Sequence, residues 1–207
     1  MFPDFLENPS DVAAPLLLGC TLTRTITLNG EKHKLVARIV ETEAYDQDDP
    51  ASHAFGGPSE RNAAMFGPAG HPYVYVSYGM HHCCNVVCGP EGFGSGCLVR
   101  AVEPLESVEV MRELREAGRA GKEQAERARK HPLKLRDLTN GPGKVCAALG
   151  IDKELYGHEL TVEPLVLEFA PLLPRETIGR SPRVGISKNI DAQKRFFIEG
   201  NEFVSRA

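Results

Sequence analysis

The sequence has no apolar run that approaches the roughly 20 residues a helix needs to span a bilayer. The stretch Ala14–Cys20 (APLLLGC) superficially resembles a lipoprotein cleavage site, but acidic rather than basic residues precede it, namely Asp4, Glu7 and Asp11. A helix that ends at Gly19 explains the stretch better. We therefore expect a cytoplasmic protein.

The sequence also lacks the usual spacing of a structural zinc site, because none of its six cysteines belongs to a CxxC pair. Cys83, Cys84 and Cys88 lie close to His81 and His82, which keeps zinc as an alternative. Adjacent residues on an extended chain, however, point to opposite faces. Without a secretory signal, six cysteines indicate reduced thiols rather than a disulfide framework. We expect buried free thiols, no metal and no cofactor.

The sequence has fewer basic than acidic residues: 24 Lys and Arg against 28 Asp and Glu, which gives a net charge of −4. Taken alone, this balance argues against a nucleic-acid partner. Residues 112–144, however, hold 10 basic against 5 acidic side chains, and residues 180–195 hold 5 against 1. Local charge governs contact, so these two basic stretches can still present a phosphate-binding face. A solvated helix face is the alternative for the first stretch.

No repeat, low-complexity tract or long linker divides the chain, which predicts a single domain over residues 1–207. An N-terminal helix to about Cys20, with Ser10 as its N-cap, is predicted first. A second helix is predicted from Pro104, with basic residues continuing to about Arg136, and a third from Pro142 to Gly150. The predicted strands are 21–28, 34–45, 72–78, 85–87 and 96–102, followed by a β-rich region over 161–203. This order favours a mixed, largely antiparallel α+β fold.

The segment RIVETEAY, residues 38–45, is the most informative in the chain. On an extended strand, Glu41, Glu43 and Tyr45 share one face with Ile39. Glutamate is disfavoured in strands, so two carboxylates on one face are unusual. An edge strand with a solvated charged face is one interpretation, and a carboxylate held among apolar residues for base catalysis is the other. The alternation of side chains along a strand (strand parity) does not distinguish Glu41 from Glu43.

Three tyrosines lie in PYVYVSY, residues 72–78. Tyr73 and Tyr75 share a face, and Tyr78 precedes Gly79, where a hairpin tip is predicted. Aromatic rings on strands commonly pack cores, but they also offer a platform for stacking bases. Arg100 lies in the middle of another predicted strand, where an unpaired cation would be costly, so a carboxylate partner is expected.

These segments occur in an order that resembles the mammalian-type alkyladenine (3-methyladenine) DNA glycosylase family, which also has bacterial members. The resemblance runs from about residue 15 to 204 and is carried by RIVETEAY, His53, RNAAMF (61–66), YVYVSYGM (73–80), Asn85, LVRAVEPLE (98–106) and NGPGKVCAALGI (140–151). It implies a curved, largely antiparallel sheet with flanking helices and a protruding hairpin. It also implies a monomeric repair enzyme of the bacterial cytosol that acts on double-stranded DNA containing damaged purines.

The resemblance implies a role for ten residues. Glu43 would be the general base that activates water, and Arg100 and the carbonyl of Val184 would help to hold that water. The other expected roles are stacking on the flipped base (Tyr45, His53, Tyr75), exclusion of the exocyclic amine of normal guanine (Asn85) and contact with DNA (Tyr78, Met80, Lys144). Among the DNA contacts, Tyr78 would enter the minor groove and fill the gap in the stack.

The sequence departs from the family pattern after Met80, where His81 and His82 replace the aromatic residues that members often carry. These histidines put the details of hairpin insertion in question and predict pH dependence near neutrality. Pro142-Gly143-Lys144 does not complete a P-loop, so nucleotide hydrolysis is not expected. Two other classes stay open at this point: a hydrolase of free nucleosides or other N-glycosides, and a non-catalytic module that binds damaged DNA.

Overall fold

A computed structural model of the protein describes residues 4–117 and 133–206. The predicted basic continuation through residues 118–132 lies outside the described residues. The strands are β1 (Thr21–Leu28), β2 (Glu31–Asp46), β3 (Pro72–Ser77), β4 (His81–Val87), β5 (Ser95–Glu106), β6 (Leu165–Glu168), β7 (Ile178–Ser181) and β8 (Arg195–Ile198). The α-helices in the described ranges are α1 (Ser10–Leu16), α2 (Val108–Ala117) and α3 (Pro142–Leu149).

The eight strands of the described residues join one antiparallel sheet that curls into a half-barrel, with the order β3-β4-β5-β2-β1-β6. β8 pairs with the C-terminal half of β2 and carries β7 on its other side. β2 therefore has neighbouring strands on both sides at residues 36–38 and 41–43. The predicted α+β fold with a curved antiparallel sheet, flanking helices and a hairpin is confirmed; a single domain over 1–207 stays a prediction.

The turn between β1 and β2 forms where the sequence predicts it. Asn29 and Gly30 have φ values of 52° and 85°, and two positive φ values in succession define the type I′ turn that matches the twist of a hairpin. The third helix is also confirmed, because α3 ends at Leu149 and Gly150 adopts the left-handed C-cap conformation.

The predicted start of the second helix is wrong. β5 continues to Glu106, with Pro104 opposite Ala37 beside an irregularity in the register. Proline lacks the N–H that a ladder needs, but it is tolerated at such a bulge. The chain turns at Ser107, which has a φ of 57°, and α2 begins one residue later.

The predicted N-cap of the first helix is also wrong. Pro9 occupies that position with extended backbone angles, and its carbonyl accepts hydrogen bonds from the N–H groups of Val12 and Ala13. Ser10 is consequently the first helical residue. The buried face of α1 contains Ala13 and Ala14, whereas Val12 and Leu16 are exposed although they lie at helical spacing.

The hydrophobic core fills the space between the sheet and the helices. Its buried members include Ile39 and Val40 of β2, Val102 of β5, Met111 of α2 and Leu149 of α3. All six cysteines are buried and free. In the part of the chain that the structure describes, no helix has the length and apolar character to cross a membrane. The same residues contain no group of three His, Cys, Asp or Glu side chains that could hold a metal ion.

Candidate active site

The two carboxylates of RIVETEAY lie inside the protein. Glu41 and Glu43 are 0% exposed, because both belong to the part of β2 that lies between β5 and β8. The interpretation of this segment as a solvated edge strand is therefore wrong. Both carboxylates contact the same guanidinium, that of Arg100, which confirms that they share a face.

Glu41 accepts four hydrogen bonds from protein groups. Its carboxylate accepts from Nε of Arg100 at 3.0 Å, from Nε of Arg195 at 2.6 Å, and from the N–H and hydroxyl of Ser205 at 2.6 and 2.8 Å. Three of these donors meet Oε1 and the fourth meets Oε2, and all of them belong to the protein. Glu41 is also absent from the lining of the cavity described below.

Glu43 differs from Glu41 because it faces a cavity. One oxygen accepts from the hydroxyl of Tyr45 at 2.8 Å, and the other accepts from the N–H of Val184 at 2.8 Å. Nη1 of Arg100 lies 3.3 Å from the second oxygen. A carboxylate oxygen has two lone pairs, so one lone pair on the first oxygen stays available, and this oxygen belongs to a residue that lines the cavity. The structure thus separates the two carboxylates, which strand parity could not do.

Arg100 joins the two carboxylates to the loop that follows β7. The register between β2 and β5 shifts on both sides of Glu41, and Arg100 lies in this irregular part of β5. Burial disfavours its charge, but the carboxylates of Glu43 and Glu41 outweigh burial and raise the pKa of Arg100. Nη1 also donates to the carbonyl of Val184 at 3.5 Å. The predicted carboxylate partner of Arg100 is confirmed.

A cavity of about 640 Å³ opens in front of Glu43. Eight of the ten residues named from the sequence line it: Glu43, Tyr45, His53, Tyr75, Tyr78, Asn85, Arg100 and Val184. These residues come from β2, β3, β4, β5, two loops and the turn between β3 and β4, so the curl of the sheet is what brings them together. Met80 and Lys144 do not line the cavity.

Aromatic rings form one wall of the cavity. The rings of Tyr73 and Tyr75 are stacked with centroids 5.3 Å apart, and the ring of His53 meets Tyr75 edge-on at 4.6 Å. The hydroxyl of Tyr73 lies 3.0 Å from Nδ1 of His53, which ties the loop to β3. Burial, together with the charge of Arg61, lowers the pKa of His53, and burial raises the pKa of Tyr75. The wall is therefore uncharged at neutral pH.

Asn85 is also buried, on β4 opposite Tyr73. Its side-chain Nδ2 donates to the carbonyl of Tyr73 at 3.2 Å. Because the donor is held by a main-chain group, the orientation of the amide relative to the cavity is fixed.

The hairpin between β3 and β4 projects from the sheet at the rim of the cavity. Tyr78 is 85% exposed and Met80 is 75% exposed, which confirms the predicted tip. A Cβ added to Gly143 at the start of α3 would lie 3.0 Å from Cβ of His81, so the hairpin contacts this helix next to its tip. On the same helix, Nζ of Lys144 donates to the side chain of Asn140 at 2.6 Å.

The sequence did not single out Arg183, which lies behind Tyr45. Its guanidinium carbon is 4.5 Å from the centroid of the Tyr45 ring, and Nη1 lies 2.7 Å from Oδ2 of Asp49. Arg183 and Arg195 are both buried, because they pair with internal carboxylates. The second basic stretch, 180–195, is thus not a continuous phosphate-binding face.

Asp49 links this arginine to the loop that carries His53. It accepts hydrogen bonds from the N–H of Ala51 and from the side chain of Asn189, each at 3.0 Å. Burial acts against its charge, but the hydrogen bonds from Arg183, Ala51 and Asn189 lower the pKa of Asp49 to about 2.

Asp49→Asn is expected to destabilise the protein in a pH-dependent way. Because the folded-state pKa is lowered, the stability that Asp49 provides is present above about pH 4 and is lost as the pH falls towards 2. The difference in free energy of unfolding between wild type and Asp49→Asn should be about 2 kcal/mol near neutrality and shrink towards pH 2. Urea unfolding across this range measures it, and a difference that does not change with pH would contradict the prediction.

The fold and the cavity define a class of protein. A buried carboxylate paired with a guanidinium, beside uncharged aromatic rings, is typical of an enzyme site that receives a planar group.

Comparison with known proteins gives the family. Residues 4–202 match the model of the methylpurine-DNA glycosylase family. A relative from Nitrosospira multiformis, by name a 3-methyladenine DNA glycosylase, is 44% identical over 98% of this chain and 92% of its own length. A relative of the same name from Methanoculleus marisnigri is 42% identical over 98% of this chain and 96% of its own length. A third, from Agrobacterium fabrum, is 46% identical over 81% and 77%.

The chain belongs to the methylpurine-DNA glycosylase family. The resemblance drawn from the ordered motifs is confirmed, and with it the prediction of a DNA glycosylase of base excision repair.

Proposed function

We propose that this chain removes damaged purines from double-stranded DNA by hydrolysing the N-glycosidic bond with a water that Glu43 activates. The observation that carries the proposal is the position of Glu43, which is buried at a cavity large enough for a purine and retains a free lone pair on the oxygen that Tyr45 contacts. Because water rather than a lysine amine attacks, the product is an abasic site in an uncut strand. The enzyme acts as a monomer in the cytoplasm.

The hairpin tip supports the extrusion of a base. A base within a duplex must leave the stack before its glycosidic bond is reachable, at a cost of a few kcal/mol. Tyr78 is exposed and has a φ of 50°, a conformation that is unfavourable for a bulky residue and that persists where function requires it. Insertion of this ring into the gap offsets part of the cost of unstacking.

The aromatic wall supports stacking of the extruded base. The rings of His53 and Tyr75 touch edge-on, so a base cannot lie between them. The base instead lies between this pair and the ring of Tyr45, with Asn85 positioned to disfavour the exocyclic amine of normal guanine. Alkylation at N3 or N7 gives a purine a positive charge, which makes it a good leaving group without a strong general acid.

The carboxylate and its neighbours support hydrolysis. Glu43 takes a proton from the water as the bond breaks, and its negative charge stabilises the oxocarbenium-like sugar. Arg100 and the carbonyl of Val184, which lie within 3.5 Å of each other, hold the water on the side facing the sugar.

The experiment that tests the function compares three substrates in single-turnover assays: an alkylated duplex, the matching free nucleoside and an undamaged duplex. We expect free base from the alkylated duplex alone, with the strand left intact, and binding that weakens with added salt. Release from the free nucleoside at the same efficiency would instead identify a nucleoside hydrolase. Binding of the damaged duplex without release of base would identify a non-catalytic module.

Tyr78→Ala is expected to weaken base extrusion, because the shortened side chain no longer fills the gap in the stack. The single-turnover rate and the affinity for a lesion duplex should each fall about tenfold, a loss equivalent to part of the cost of unstacking. Tyr78→Phe keeps the ring and serves as the control, with values close to wild type. If affinity and rate are both unaffected in Tyr78→Ala, the assigned role of the hairpin is wrong.

A further inference from the structure

Tyr45 presents only one open face to the cavity. Tyr45 lines the cavity whereas Arg183 does not, and the guanidinium of Arg183 covers a face of the ring at 4.5 Å. The aromatic surface available for a base is therefore the face opposite the guanidinium.

Arg183 is held rigidly in this position. Its side chain is 0% exposed, that of Asp49 is 1% exposed, and Nη1 also donates to the carbonyl of Ala44 at 2.8 Å. Within the described residues, Nε and Nη2 of Arg183 have no hydrogen-bond partner, although a buried guanidinium normally satisfies its donors. A buried side chain that lies over a ring without these two bonds is placed for the ring contact.

The contacts of Arg183 join three parts of the proposed site. Arg183 precedes Val184, whose N–H donates to Glu43. Its partner Asp49 binds the N–H of Ala51, two residues before His53. A shift of Arg183 would therefore disturb the ring of Tyr45, the loop of His53 and the main chain beside Glu43 together.

We propose that Arg183 positions Tyr45 for stacking and lowers the preference of the site for positively charged damaged bases relative to neutral ones. The proposal rests on the proposed function, in which a base stacks on Tyr45. A cation over an aromatic ring is attracted by the π electrons of that ring. Because one face of Tyr45 already holds a guanidinium, the same ring attracts a second cation on its other face less strongly. A neutral base does not encounter this competition.

The test measures single-turnover release of 7-methylguanine, which is charged, and hypoxanthine, which is neutral, from duplexes of one sequence. Arg183→Met combined with Asp49→Asn removes both members of the ion pair, so the net charge is unchanged and no buried charge is left unpaired. We expect the ratio of the charged to the neutral rate to rise about five- to tenfold. Arg183→Lys keeps the cation but loses the flat guanidinium, so both rates should fall about tenfold with the ratio unchanged.

The matched control is Arg180→Met. Arg180 is exposed, and its guanidinium lies 4.8 Å over the ring of Phe196, away from the cavity lining, so its removal should leave the ratio at the wild-type value. An unchanged ratio in the double variant, or an equal change in Arg180→Met, overturns the proposal. If the double variant does not fold, wild-type rates in Arg183→Lys overturn the positioning role on their own. Failure of the proposed function looks different, because the wild-type protein would then release neither base.

Discussion

Glu43→Gln is expected to abolish base release while leaving binding to DNA that contains an abasic site largely intact. Glutamine has the shape of glutamate: its amide oxygen can still accept from the N–H of Val184, while its NH2 group can donate to the hydroxyl of Tyr45. It cannot take a proton from water or stabilise positive charge on the sugar. The single-turnover rate should therefore fall by at least about a thousandfold, whereas the dissociation constant for the abasic duplex should change little.

Glu41→Gln is the matched comparison, because it removes a carboxylate from the same face of the same strand. Glu41 does not line the cavity and holds Arg100, Arg195 and Ser205. The loss of the Glu41 carboxylate should clearly lower the free energy of unfolding. The rate of base release per folded molecule should fall much less than in Glu43→Gln. Equal loss of activity in the two variants would remove the distinction between the carboxylates, and unchanged release in Glu43→Gln would exclude Glu43 as the base.

Arg100→Met is expected to cost both stability and activity. Two buried carboxylates would lose their shared cation, and removal of one member of a buried ion pair typically destabilises a protein by about 3–5 kcal/mol. The rate per folded molecule should fall about a hundredfold, because the carboxylate of Glu43 and the proposed water lose a common anchor. Urea unfolding and single-turnover assays at a temperature where the variant is folded separate the two effects.

Arg38→Met supplies the control for this variant. Arg38 has the same side-chain exposure as Arg100, 9%, and pairs with Glu103 and Glu176, but it does not line the cavity. The Arg38→Met variant should have a lower free energy of unfolding and an unchanged rate of base release per folded molecule. A wild-type rate in Arg100→Met, measured on folded protein, would show that Arg100 acts only in stability.

Local patterns in the sequence predicted much of the sheet. The Asn29-Gly30 turn, the exposed tip at Tyr78 and the end of α3 at Gly150 depend on backbone conformations that neighbouring residues dictate. Pro104 misled the prediction, because proline opens helices and also fits a β-bulge. Only the partner strand decides between these two roles.

The site required more than local patterns. Parity placed Glu41 and Glu43 on one face, but their different environments come from partners far along the chain. Arg195 and Ser205 lie 154 and 164 positions from Glu41, and Arg183 lies 139 positions from Ala44, whose carbonyl it contacts. Such distant pairings leave no periodicity in a single sequence. The ordered family motifs singled out Glu43, but they did not indicate what fills the space behind Tyr45.

The hydrogen bonds of Ser205 to Glu41 bear on how the enzyme assembles. The hairpin of β1 and β2 connects near neighbours, whereas the polar cluster around Glu41 closes only when β8 and the residues after it return to β2. Contacts between distant positions carry the largest loop-closure cost and tend to form late in folding. Recovery of enzymatic activity during refolding should therefore lag behind recovery of β-structure, which makes base release a reporter of the final step of assembly.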